Sequence, residues 1–261
     1  MTDLVQSSGT LRRVYGALFL FPVVFLVWFD QVAAGLVLAS IGCLMGIEVK
    51  RVSGLPFIAG LIVLTLIAIQ SFPHWMFGLS FTMNVGLTLI VSGLLAAIIV
   101  GVFSNRLAGL FVGLLCLCLA SGGLLLSQPS GHVVLVSLAA IIAACDSAAY
   151  FVGRSIGGPK LWPRVSPNKT ISGSIGGLVA AMAATSLVAS IFGIDDLADA
   201  LIMGFLVGGL SQAGDLMESA VKRQLGVKDS GSILPGHGGF LDRFDGYIFV
   251  IPAFYLYIFG F

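Results

Sequence analysis

Uninterrupted apolar runs recur along the whole chain, separated by short polar connections. Most are about 15 to 20 residues long, near the length that crosses roughly 30 Å of hydrocarbon. The pattern predicts spans over 14–29, 32–47, 55–72, 84–103, 107–126, 133–152, 176–192, 198–212 and 247–261. Polar residues do not alternate with apolar ones inside these runs, as lipid-facing strands of a barrel require. With no water to satisfy a backbone in lipid, helices are the remaining form. The expected fold is an all-α polytopic membrane protein of about nine transmembrane helices. Residues 1–130 form N-terminal transmembrane helices, and 131–261 form a C-terminal catalytic region with cytoplasmic-facing loops.

Composition agrees with the pattern. Of 261 residues 58% are hydrophobic and only 10% charged, with a mean hydropathy of +1.07, whereas soluble domains carry roughly 25% charged residues. The net charge of +1 says little, but the positions of the charges say much. All 13 basic residues fall in five places: Arg12/Arg13, Lys50/Arg51, Arg106, the segment Arg154 to Lys169, and the segment Lys222 to Arg243. Two predicted spans separate each place from the next, so every Lys and Arg lies on one side. The positive-inside rule makes that side the cytoplasm, with the N-terminus in and the C-terminus out. The opposite connections hold Asp30, His74, His132, Asp195, Asp196 and Asp199, without Lys or Arg. Arg12/Arg13 before an apolar run also resembles a signal peptide. The run leads straight into another span and lacks a small-residue cleavage site, so it is read as retained. Cys43, Cys116, Cys118 and Cys145 lie in apolar runs without metal-ligand or disulfide spacing, and read as small buried residues.

Chemistry concentrates in two polar segments on the basic side. The first holds Asp146, Tyr150, Gly153, Arg154, then a Gly/Pro-rich loop and Ser166-Pro-Asn-Lys-Thr170. An ionised Asp146 near the end of an apolar helix costs about 2.5–3.5 kcal/mol and needs a cation, a metal or a water-filled cleft. A structural pairing with Arg154 would serve equally. Ser166, Lys169 and Thr170, beside Gly173, Gly176 and Gly177, have the composition of a phosphate grip.

The second segment is more specific. Asp215, Glu218, Ser219 and Lys222 stand at i, i+3, i+4 and i+7 and share one helix face. Arg223, Lys228 and Asp229 follow, then Gly236-His237-Gly238-Gly239 and Asp242-Arg243-Phe244-Asp245. Carboxylates spaced like Asp242 and Asp245 can hold one hard cation, or share two with Asp215. Oxygen-only ligation favours Mg²⁺, and glycines before a helix start let backbone N–H groups approach an anion. Ordinary readings exist for each part: Lys222/Arg223 as interfacial anchors, Asp242/Arg243 as an ion pair, His237 as a loop hydrogen-bonder. No GxxxxGK[ST] motif occurs, so a P-loop is excluded.

The string Ser219-x2-Lys222-Arg223-x4-Lys228-Asp229-x6-Gly236-His237-Gly238-Gly239-x2-Asp242-Arg243-x-Asp245 resembles the signature of the phosphatidate cytidylyltransferase (CDP-diacylglycerol synthase) family nearly position for position. Gln212-x-Gly214-Asp215-x2-Glu218 and Asp146-x2-Ala-Tyr150 with Ser166-Pro167-x-Lys169-Thr170 are also similar to it. Family members usually carry Lys-Lys-Thr-x-Glu-Gly where this chain has Asn168-Lys169-Thr170-Ile171-Ser172-Gly173. The resemblance covers about residues 140–250.

It implies that CTP and phosphatidate give CDP-diacylglycerol and diphosphate, with Mg²⁺ and a second, monovalent ion such as K⁺. It also implies a homodimer in the bacterial inner membrane; no nucleic-acid partner is expected. In that frame Asp146, Asp215, Asp242 and Asp245 are the metal candidates. Lys222, Arg223, Lys228, Asp229, His237 and Arg243 are the catalytic candidates. Ser166, Lys169, Thr170, Ser219, Gly238 and Gly239 are the substrate-binding candidates. The nearest rival is CTP-dependent activation of another lipid phosphate, such as an isoprenoid one. A transporter would instead need ionisable groups at mid-membrane and an internal repeat. A silent scaffold is suggested only by Asn168 and Ser172.

Overall fold

The computed structural model describes residues 30–71, 83–194, 196–231 and 239–259. Among them run α1 (Gln31–Val52), α2 (Phe57–Ser71), α3 (Met83–Phe103), α4 (Arg106–Leu126) and α5 (Gly131–Ile156). A two-stranded antiparallel hairpin follows, β1 (Lys160–Trp162) and β2 (Ser166–Thr170), then α6 (Ile171–Ile191), α7 (Leu197–Gln224), the single turn α8 (Leu241–Phe244) and α9 (Tyr247–Phe259). Helices α1, α4, α5, α6 and α7 are long and apolar enough to cross a membrane, and α2, the Leu87–Phe103 part of α3, and α9 are apolar helical stretches of fewer than 18 residues. The eight expected spans from 32–47 onward each coincide with one of these helices; the first, 14–29, lies outside the described residues.

Two departures bear on the site. The Gly/Pro-rich loop after Asp146 pairs into the hairpin, the one exception among the described residues to an all-α chain. The span expected over 198–212 continues twelve residues further, to Gln224. At 28 residues α7 is about 42 Å long at 1.5 Å per residue. Counted from Leu197, Asp215 stands about 27 Å along the axis and Lys222 about 38 Å, so a hydrocarbon layer of roughly 30 Å beginning at Leu197 would end beside the charged face.

Local chemistry sets several helix starts. Asp30 accepts the Val32 N–H at 2.7 Å, Asn105 accepts the Ala108 N–H at 2.8 Å, and Asp196 accepts the N–H groups of Ala198 and Asp199. Thr170 accepts the Gly173 N–H at 3.2 Å and ends β2 as it begins α6. Each cap satisfies a donor that has no carbonyl one turn back.

The core has two large parts and a small third one of Cys118, Leu125 and Ile251. Met45, Val49, Val63, Ile67, Val100, Phe111, Val112 and Leu115 of α1–α4 pack with Val221, Leu241 and Ile248. Leu138, Ile141, Ile142 and Cys145 of α5 pack with Ala181, Val207 and Val250. Helices α5 and α6 meet closely: a Cβ at Gly173 would stand 2.6 Å from the Ala149 carbonyl oxygen, and one at Gly177 3.0 Å from that of Cys145. These glycines, with Gly176 against Val152, admit the neighbouring helix, the usual use of small residues between membrane helices. Outside, Leu87, Ile90, Leu94 and Ile98 leave a continuous apolar face on α3, the surface that lipid rather than water would cover. Cys116, Cys118 and Cys145 are buried, while Cys43 is exposed on the outer side of α1.

Candidate active site

One end of the bundle gathers the polar groups. The last turns of α1, the first two turns of α4, the end of α7 and α8 line one small cavity that includes Val49, Phe111, Glu218, Lys222, Ser230 and Leu241. Lys222 is its electrostatic centre. Its Nζ donates to Glu218 Oε2 at 2.9 Å, one turn back, and to Asp242 Oδ1 at 2.7 Å, across to α8. Asp242 also accepts the Gly239 N–H at 2.9 Å and the Ser230 N–H at 3.1–3.2 Å. Burial pushes the Asp242 carboxyl up, but the Lys222 ammonium and these two backbone donors outweigh it and leave it below the ordinary value.

Asp245 sits in the opposite electrical environment. Burial, with Asp215 and Glu218 close by, holds its carboxyl well above the ordinary range, against the Gly246 N–H that it accepts at 2.8 Å. Close packing forces the approach. A Cβ at Gly246 would stand 2.7 Å from Ser211 Oγ, and one at Gly214 would collide with the Asp245 carbonyl. Glu218 is 1% exposed and interacts with the Asp245 carboxyl, yet its Oε1 is buried without a hydrogen-bond donor. Two carboxyls in that relation need a shared proton or a cation between them.

The hairpin side joins this cluster through two links. Lys169 on β2 forms an ion pair with Asp215, and the Arg223 Nε–H donates to the Val165 carbonyl at 3.3 Å. Ser219 donates to Asp215 at 3.4 Å. Asp146 lies close enough to Asp215, Lys169 and Arg243 to feel their charges, while Arg154 donates to Tyr150 Oη at 2.8 Å. Thr170 is spent as a helix cap and Ser166 begins β2, paired with Trp162. Arg223, Lys228, Asp229 and Arg243 are exposed at the rim. His237 and Gly238 lie outside the described residues, and Gly239 contributes its N–H to Asp242.

Glu48, absent from the sequence-based candidates, has a central position. It is 1% exposed in the penultimate turn of α1. Its carboxylate accepts the Phe240 N–H at 2.8 Å, the Leu241 N–H at 2.8 Å and the Ser230 hydroxyl at 3.1 Å. The signal was present: a lone acid at the end of an apolar run carries the kind of cost that singled out Asp146. Lys50 and Arg51, two and three residues on, drew attention to topology instead.

The Cytidylyltransferase family profile matches residues 10–261. The chain belongs to the cytidylyltransferase family. A phosphatidate cytidylyltransferase of Brucella suis biovar 1 is 53% identical over 133 residues, 51% of this chain and 48% of that protein. One of Bacillus subtilis is 47% identical over 116 residues, 44% of this chain and 43% of that protein. An uncharacterized Escherichia coli protein is 41% identical over 128 residues, 49% of this chain and 43% of its own length. The chain spans about half the length of the curated relatives it matches.

Whether this cytidylyltransferase site suits a divalent cation can be judged from its donors. Among the described residues no three His, Cys, Asp or Glu side chains converge as a closed metal cage. Mg²⁺ does not require one, since it commonly takes one or two carboxylates and completes its shell with water and substrate phosphate. Asp215 and Asp245, with the Glu218 Oε1 beside them, are an oxygen-only set, in which Asp215 is also paired with Lys169 and Glu218 with Lys222. They fit that mode. Asp242, already neutralised by Lys222 and two N–H groups, fits it less well than its spacing implied.

Proposed function

We propose that this chain transfers the cytidylyl group of CTP to phosphatidate, releasing diphosphate and forming CDP-diacylglycerol for phospholipid synthesis. The observation that carries the reading is the convergence of Lys169, Lys222 and Arg223 with Asp215, Glu218 and Asp245 at the basic end of an apolar bundle. An anionic lipid and an anionic nucleotide can be drawn together there. The relatives named phosphatidate cytidylyltransferase, matched over about half of the chain, support the lipid assignment.

A phosphate oxygen of phosphatidate attacks the α-phosphorus of CTP, and the bond from that phosphorus to the β-phosphate oxygen breaks. The nucleophile is already an anion, so no general base is needed. The barrier lies in bringing two polyanions together and stabilising the charge that develops on the leaving diphosphate. Lys222, held by Glu218 and Asp242, presents a fixed ammonium toward the cavity, and Arg223, Lys228 and Arg243 supply cations at its rim. Lys169 and Ser166 serve the second phosphate. Asp215 and Asp245 would hold Mg²⁺, which when bound neutralises triphosphate charge; Asp146 lines the same region. A monovalent ion such as K⁺ would find the remaining carboxylate oxygens.

The gathering of the described basic residues at one end supports a cytoplasmic site in the bacterial inner membrane, where CTP is available. A homodimer is the assembly we assign, and nine spans with the N-terminus inside the topology. The purified protein in detergent, given radiolabelled CTP and either phosphatidate or an isoprenoid phosphate, tests the reading. Label in CDP-diacylglycerol supports it; label only in the isoprenoid product overturns it.

A further inference from the structure

We propose that Glu48 is a positioning residue of the active site, the tether by which the N-terminal helices set the geometry of the turn that carries Asp242; this rests on the reading of the site given above. Glu48 belongs to α1, more than 180 residues before the groups it binds. One carboxylate takes donors from both ends of the signature stretch from Ser230 to Leu241. The Ser230 hydroxyl comes from its beginning and the N–H groups of Phe240 and Leu241 from its end. Both flanking glycines make room for it: a Cβ at Gly231 would stand 2.6 Å from Glu48 Oε1, and one at Gly239 2.7 Å from each oxygen.

The tether reaches the chemistry through Ser230. The hydroxyl of Ser230 goes to Glu48 while its N–H goes to Asp242, and Asp242 receives the Lys222 ammonium at 2.7 Å. Glu48 therefore touches no reacting atom but fixes the residue that aims Lys222. A buried carboxylate is costly unless donors surround it, and here the donors are the backbone of the site itself. A glutamine of the same shape has only one acceptor oxygen, so its amide would face a donor. Position would be lost with volume unchanged.

The test uses the full chain in detergent with CTP and phosphatidate, comparing wild type, Glu48→Gln and Glu48→Asp. We expect Glu48→Gln to lower kcat on the order of 10–100-fold, the range for residues that orient a catalytic group, with the KM for phosphatidate within about threefold. Glu48→Asp, which keeps both oxygens, should recover part of kcat. Hydrogen exchange should quicken in peptides covering Ser230 and Phe240–Leu241 while α5 and α6 stay protected. A wild-type kcat per folded molecule in Glu48→Gln overturns the proposal. So does exchange that rises uniformly, since that marks general destabilisation. If Glu48→Gln does not fold, Glu48→Asp decides by the same two readouts. An inactive wild type would sink the functional reading alone, and the local exchange of the variants would still decide the tether.

Discussion

The two polar segments meet at the same end of the bundle but are held there in different ways. In the segment from Asp215 to Asp245, the interacting side chains are buried or half-buried and cross-linked: Lys222 to Glu218 and Asp242, Asp242 to the Gly239 backbone, and Leu241 to Glu48. In the hairpin segment, Lys169 reaches Asp215 through a half-exposed ion pair, and Val165 takes one bond from Arg223. Buried charges with fixed partners are expensive to disturb, whereas exposed pairs contribute little. The contrast predicts that one half carries the catalytic step and the other tunes substrate binding.

The largest effect should follow Asp245→Asn. Losing a carboxylate that would hold Mg²⁺ removes stabilisation of the leaving diphosphate, and kcat should fall by about 10²–10³-fold. Because Asp245 is buried beside Asp215 and Glu218, thermal unfolding of the variant should be unchanged or shifted upward. Full activity would break the assignment, and an equal loss from Lys169→Ala would erase the contrast between the halves. Removal of divalent cation by chelation should abolish wild-type turnover and be reversed by added Mg²⁺.

Lys222→Met should come next, and it should act on stability as well as rate. The lysine side chain is 14% exposed and its partners 2% and 12%, so its removal strands two buried carboxylates. Breaking one partner of a buried pair typically costs about 3–5 kcal/mol. Adding Glu218→Gln should recover part of the lost unfolding temperature without recovering turnover. A double variant no more stable than the single would mean that Lys222 is not the group neutralising Glu218.

Lys169→Ala should act on binding rather than folding. Lys169 and its partner Asp215 are 29% and 31% exposed, so stability should change by no more than about 1 kcal/mol. The KM for the anionic substrate it faces should rise about tenfold, equivalent to about 1.4 kcal/mol, with kcat little altered. A kcat collapse with unchanged KM would move Lys169 into the same catalytic unit as Lys222.

Much of this arrangement was legible before any coordinates. Apolar run length located the described helices, because lipid allows few alternatives to a helix. The i, i+3, i+4, i+7 spacing placed Asp215, Glu218, Ser219 and Lys222 on one face for the same reason. The hairpin was not legible, since short strands at a membrane surface lack both the length and the alternation that betray strands. Nor was the role of Gly173, Gly176 and Gly177: a glycine that admits a helix and one that admits a phosphate look alike in sequence. Asp242 and Asp245 read as equivalent ligands three residues apart, yet Lys222 claims one and like charges surround the other. Glu48 was missed because its partners are backbone groups far along the chain, and long-range contact leaves no trace in local spacing.

The smallest expected effect separates Asp242 from Asp245 by pH. The folded Asp242 carboxyl lies below its ordinary value of 3.8, so the native state favours its ionised form. The stability this contributes is fully present above the unfolded value and is lost as pH falls through the folded one. Asp245, raised in the folded state, works in the opposite sense: its penalty grows as pH rises past the unfolded carboxylate value. Thermal unfolding measured from about pH 6 to about pH 3 should therefore show Asp242→Asn less stable than wild type at the upper end and converging on it at the lower end. Asp245→Asn should show the reverse, gaining most at the upper end. Parallel curves for the two variants would mean that their environments are alike, and Asp242 would return to the metal set that its spacing first implied.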